Sequence, residues 1–160
     1  MVALLRAGAL CALLGAVAGA GCTGVSIRPD GSPAEEKCPQ GARESMAAFG
    51  LRPGASTTIH VDATRTQSGP LIVYDGPIES RTWLNMADLP GHTRLVGRVW
   101  TGGPRVVIRY YSARLPDGKV IPFCAVAAEN RLGLEKSPGR AGFAAIQSST
   151  AFVEVTGEFR

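Results

Sequence analysis

Glycine and proline recur so often in this chain that short elements joined by turns are favoured over long helices. There are 20 Gly and 11 Pro in 160 residues. A glycine inside a helix costs roughly 1 kcal/mol relative to alanine, and a proline about 3. What lies between these breakers is rich in β-branched and aromatic residues, the signature of strands. Strands are predicted over residues 57–61, 71–74, 78–84, 94–101, 105–115, 120–127 and 151–159. Gly102-Gly103-Pro104 separates two of them, and Pro116-Asp117-Gly118 joins two others as a hairpin. Inside Val99-Trp100-Thr101 and across 106–111 the apolar/polar alternation is only partial. Such a pattern suits strands covered on both faces or closed into a small barrel. The expected fold is therefore mainly β, a small antiparallel β-barrel or sandwich.

One short helix is expected ahead of the strands, over 39–49, with Ala42, Met46 and Phe49 on one face and Gly50 placed to stop it. Residues 38–160 then form a single domain. The preceding stretch, 22–37, is polar and reads as a flexible tether, with a turn at Pro29-Asp30-Gly31. Ser32, Pro33 and Glu35 stand in capping positions that would start a helical turn. Residues 130–142 read as an exposed loop.

The first 21 residues, MVALLRAGALCALLGAVAGAG, place Arg6 ahead of an apolar stretch ending in small residues. This is the layout of a cleaved secretory signal. Its most apolar part, 10–17, has the length of a signal core and falls short of the roughly 20 residues needed to span a bilayer. Ala18-Gly19-Ala20 fits ordinary signal peptidase, whereas Gly19-Ala20-Gly21-Cys22 resembles the lipobox of bacterial lipoproteins, with Gly19 where that motif has an aliphatic residue.

The cysteine count bears on the choice. Cys11 leaves with the signal under either reading, so ordinary cleavage would leave Cys22, Cys38 and Cys124, an odd number in an oxidising compartment. Lipid on Cys22 removes the odd one and leaves Cys38 and Cys124 to pair. That disulfide would contribute about 4 kcal/mol in the chain-entropy picture. Thr23 follows where an inner-membrane retention signal has Asp, so the lipobox resemblance implies the bacterial cell envelope and an outer membrane facing the periplasm. The membrane lipid reached through Cys22 is the first expected partner.

The segments LPGHTRLVGRVW and VVIRYYSARLPDGKVIP, behind a lipobox, a polar tether and a short helix, resemble the layout of small secreted lipoproteins of myxobacteria. Locally they are also similar to the periplasmic β-barrel subunit of type IV secretion channels, over about 34 residues and without that subunit's transmembrane and antenna regions. The first resemblance implies architecture and location, the second a barrel-like fold.

Charge excludes some functions. Cleavage removes one of 17 basic residues and leaves 16 against 13 acidic, a net charge of +3. With no basic block, a nucleic-acid surface is not expected. The chain carries no G-x-S-x-G elbow, no P-loop and no kinase motif. Two histidines without H-x-x-x-H or a cysteine cluster argue against zinc, and no cofactor is expected. His60 and Asp62 alternate on one predicted strand and, with His92, are the one conceivable catalytic grouping. Asp75, Glu79 and Asp88 around Gly76-Pro77 would need a controlled separation to hydrolyse a polymer, and they read as turn residues. Tyr74, Trp83, Trp100, Tyr110 and Tyr111 are candidates for a binding surface, weighed against core packing. Tyr110 and Tyr111 must point to opposite faces of their strand. The function expected is non-enzymatic: a lipid-anchored module that binds an envelope protein. The alternatives are a small-molecule or glycan-binding lipoprotein and, third, a hydrolase of envelope polymers.

Overall fold

A computed structural model describes residues 26–129, 133–140 and 142–160. The expected signal sequence and the expected lipidation site Cys22 lie outside the described residues. In chain order the elements are β1 (Glu36–Lys37), α1 (Ala42–Ala47), β2 (Ser56–His60), β3 (Leu71–Tyr74), β4 (Gly76–Thr82), β5 (Arg94–Trp100), β6 (Val107–Arg114), β7 (Val120–Ala127), β8 (Phe143–Ile146), β9 (Thr150–Val155) and β10 (Glu158–Phe159). Among the described residues no helix is long and apolar enough to cross a membrane.

Six strands close into an antiparallel barrel in the order β2-β4-β5-β6-β7-β9, so of the two expected architectures the barrel is the one adopted. Strand alternation fills it. Ile59, Leu95, Val99, Ile108, Phe123, Ala125 and Val153 are buried to within 1 % and form its interior. Tyr110 is also inside, its hydroxyl 2.7 Å from Ser80 Oγ, which donates in turn to the Val61 carbonyl at 2.6 Å. The buried phenol is thereby hydrogen-bonded, and burial raises its pKa above the ordinary tyrosine range. Gly97 makes the room: a Cβ there would strike the Arg109 carbonyl and the Tyr110 ring, at a point where the β5–β6 register shifts.

Cys124 points outward from β7, beneath α1, and is bonded to Cys38 with a Cα–Cα distance of 5.5 Å across 86 residues of sequence. The helix is shorter than its sequence pattern suggested, six residues starting after Gly41 at φ 77°, and it buries Ala42 and Met46. The run 151–159 splits into β9 and β10 at Thr156-Gly157. Two elements were not legible. Within the expected tether, β1 pairs with β10, and Phe143–Ile146, immediately after the expected loop and assigned to no element from sequence, forms β8 against β3.

The tether expectation is corrected at its C-terminal end. Residues 26–34 form a small hairpin, with Arg28 N–H donating to the Ser32 carbonyl at 2.8 Å and Ala34 N–H to that of Ser26 at 2.7 Å. The helical turn at Ser32 does not form, because Arg109 draws this segment out along the barrel. Its guanidinium, fully buried, donates to the carbonyls of Ala34 at 2.8 Å and Arg160 at 3.1 Å and lies 3.4 Å from the Glu36 carboxylate. Trp100 and Phe159 cover it, at 5.5 Å and 5.2 Å from the guanidinium carbon to their ring centres. Desolvation pulls the Arg109 pKa below its ordinary value, opposed by Tyr111 and Glu36. Tyr111 donates to that same carboxylate at 2.8 Å, and burial followed by Glu36 raises its own pKa.

Candidate docking groove

Of the two strand pairs outside the barrel wall, β1–β10 and β3–β8, the β3–β8 ribbon has a face left open, and how it is held determines what it presents. Asp75 accepts the Thr101 N–H at 2.5 Å and gives its own N–H to the Gly142 carbonyl, while Arg65 donates to the Pro70 carbonyl at 3.0 Å. The inner face, Leu71, Val73, Ala144 and Ile146, joins the common core. The outer face does not, leaving Ile72 55 % and Tyr74 66 % exposed. Across the ladder from Tyr74 stands Phe143, the two ring centres 6.2 Å apart.

The ribbon also has an open edge. Because Asp75 bonds to Gly142, alternation along an antiparallel ladder directs Val73 and Leu71 toward β8 and the backbone groups of Ile72 and Tyr74 away from it. Among the described residues no strand pairs with that edge. Beside it, between β3 and the first half of β4, lies an open groove of about 380 Å³. Its apolar lining includes Ile72, Tyr74, Pro77 and Ile78, and its polar lining includes Asp62 together with the Glu79–Arg94 ion pair. The β4 stretch flanking it is free of β2, which pairs only with Arg81 and Thr82.

The five aromatic candidates separate. Tyr74 lines the groove, and Trp83 is exposed elsewhere, on the loop after β4, tilted over His60 with ring centres 4.8 Å apart. Trp100 and Tyr110 are buried and Tyr111 is half-buried beside Phe159, so these three belong to packing and the five do not form one surface. The groove residues Ile72, Ile78 and Arg94 were not singled out from sequence. A signal was present in Leu71-Ile72-Val73-Tyr74: four apolar residues in a row imply a strand covered on both faces, and here only one face is covered.

The conceivable catalytic grouping does not assemble. His60 is buried, and among the described residues neither ring nitrogen has a hydrogen-bond partner, so it bonds neither Asp62 nor His92. Desolvation, with Arg81 second, lowers its pKa. The Asp62 carboxylate is engaged by Thr64, through its N–H at 2.9 Å and its hydroxyl at 2.7 Å. His92 is exposed in a turn at φ 63°. Of the carboxylates near Gly76, Asp75 serves Thr101 and Glu79 serves Arg94, while Asp88 is exposed near Gly50. Among the described residues no group of three or more His, Cys, Asp or Glu side chains is arranged to hold a metal ion. No protein-family model, curated protein or solved structure matches this chain.

Proposed function

We propose that the chain is a lipid-anchored envelope lipoprotein that acts by binding, receiving an extended segment of an envelope protein along the open edge of β3. The observation that carries the binding role is the unpaired β3 edge beside a groove with an apolar floor and an ion pair on its wall. Natural sheets usually blunt such edges, because exposed backbone groups recruit any extended chain. Strand addition uses those groups for affinity and side-chain pockets for selection. Ile72 and Tyr74 would then bury their exposed faces against the incoming segment.

Anchoring through Cys22 is supported by cysteine accounting. With Cys38 and Cys124 bonded to each other, Cys22 is the cysteine after the proposed signal for which the disulfide does not account. The disulfide itself suits an oxidising compartment such as the periplasm.

A photoreactive amino acid at Tyr74 tests the binding role. It is expected to capture one discrete partner in intact envelopes, while the same group at exposed Val120 on β7 does not, and Ile72→Pro, which removes an edge N–H, abolishes the capture. Equal capture from both positions would refute the groove. Labelled fatty acid tests the anchor: incorporation into the wild type and its loss in Cys22→Ser are expected.

A further inference from the structure

Where the described chain begins constrains how the domain stands on its anchor. If residues 22–37 were all free, the barrel would roam as far as about 50 Å from the lipid, at roughly 3.5 Å per extended residue. They are not all free. Pro33 is buried, Ala34 and Glu36 are held by Arg109, Glu36 and Lys37 pair with β10, and Cys38 is bonded to Cys124. Upstream, the 26–34 hairpin is seated on the β5–β6 turn. Gly31, at φ 83°, packs so closely on Gly102 that a Cβ would strike the Gly102 carbonyl, and a Cβ on Gly103 would lie 3.1 Å from Ser32 Cβ. From Ser26 back to Cys22 only four residue steps remain, at most about 14 Å.

We propose that the 26–34 hairpin and the adjoining turn 102–104 form a face that rests on the phospholipid headgroups, with Ile27 entering the headgroup layer and Arg28 at the lipid phosphates. The proposal rests on lipidation of Cys22. Ile27 is 53 % exposed on this face, and the Arg28 side chain, 41 % exposed, lies 3.6 Å from the Glu35 carboxylate in a surface pair that a lipid phosphate would replace. An apolar side chain with an adjacent cation is the combination that an anionic bilayer interface takes up. The β6–β7 turn at 116–118 lies at the far end of β6, about 25 Å away for eight residues of strand. Thr101, next to the proposed face, is held by Asp75, which follows Tyr74. The groove therefore starts close to the membrane, and its protein partner is one whose extended segment runs near the headgroups.

The test uses the full chain purified from membranes and reconstituted in phosphatidylethanolamine/phosphatidylglycerol vesicles carrying a headgroup spin label. A fluorescent amino acid is placed in turn at Ile27, Pro104 and Asp117, all exposed. Quenching is expected to be several-fold stronger at Ile27 and Pro104 than at Asp117. Mass spectrometry of the same samples reports the lipid on Cys22. Lipid present with equal quenching at all three positions, or strongest quenching at Asp117, overturns the contact face alone. Absence of the lipid overturns the anchoring and the contact face together.

Discussion

Two ribbons of two strands flank the same barrel, and they are finished in opposite ways. In β1–β10 the neighbouring carbonyls are taken by Arg109, Phe159 is buried, and the Glu36 carboxylate accepts from Tyr111. In β3–β8 one face is buried while the other leaves Ile72, Tyr74 and Phe143 in solvent beside an open edge. The first ribbon is a clasp that fastens both ends of the described chain to β6. The second has unsatisfied surface and open backbone valences, which is what a docking element needs. Similar pieces of secondary structure thus serve different ends according to whether a buried side chain completes them.

The comparison is broken most severely at the clasp. Arg109→Met leaves the Ala34 and Arg160 carbonyls without their donor and Glu36 without its cation. Removing one partner of a buried charged network costs about 3–5 kcal/mol. Urea denaturation should show this loss, and a change below about 1 kcal/mol would mean that the clasp is held by packing alone. Comparable at most is the effect of releasing the covalent staple behind β1: the double substitution Cys38→Ala and Cys124→Ala should lower stability by up to about 4 kcal/mol under the chain-entropy model, less any residual order in the unfolded chain. The Tm of the reduced wild type should fall in parallel.

A smaller effect concerns His60, whose buried ring nitrogens have no hydrogen-bond partner among the described residues. Its folded pKa lies below its unfolded value near 6.5, so above that pH both states are neutral and the histidine adds no pH dependence. As pH falls below about 6.5 the unfolded chain takes up a proton that the folded chain refuses, and stability declines by up to about 1.4 kcal/mol per pH unit until the folded pKa is reached. His60→Phe should remove this decline between pH 7.5 and 5.5, and an unchanged slope would assign it to other groups. Smallest in stability is the docking ribbon itself: Tyr74→Ser should change unfolding by no more than about 0.5 kcal/mol, since its ring is mostly in water. With the photoreactive group placed instead at Ile78 in the same groove, Tyr74→Ser should abolish partner capture, and retention of capture would move the binding face elsewhere.

Legibility in the sequence followed the range of the physics. The strand 120–127 matched to the residue, because its apolar run is bounded by a turn on one side and polar residues on the other. Helix α1 was foreseen but drawn too long, since Ala42, Met46 and Phe49 keep helical spacing while the helix ends at Ala47. Tyr74 was named for its type, yet its groove was not visible, because β3 and β4 are neighbours in sequence that do not pair.

The sequence alone determined the β class, the turn at 116–118, the Cys38–Cys124 pair and the absence of familiar catalytic motifs. These follow from local conformational preference and from counting, which need no knowledge of what lies across the fold. Only the tertiary structure decided that the strands close into a barrel, that Trp100 and Tyr110 are packing residues, and that the supposed tether is clasped by Arg109. It also decided that β3 keeps an open edge. Those outcomes depend on which distant residues meet: a guanidinium in β6 reaches carbonyls about 75 residues away in sequence because the barrel wall brings them together.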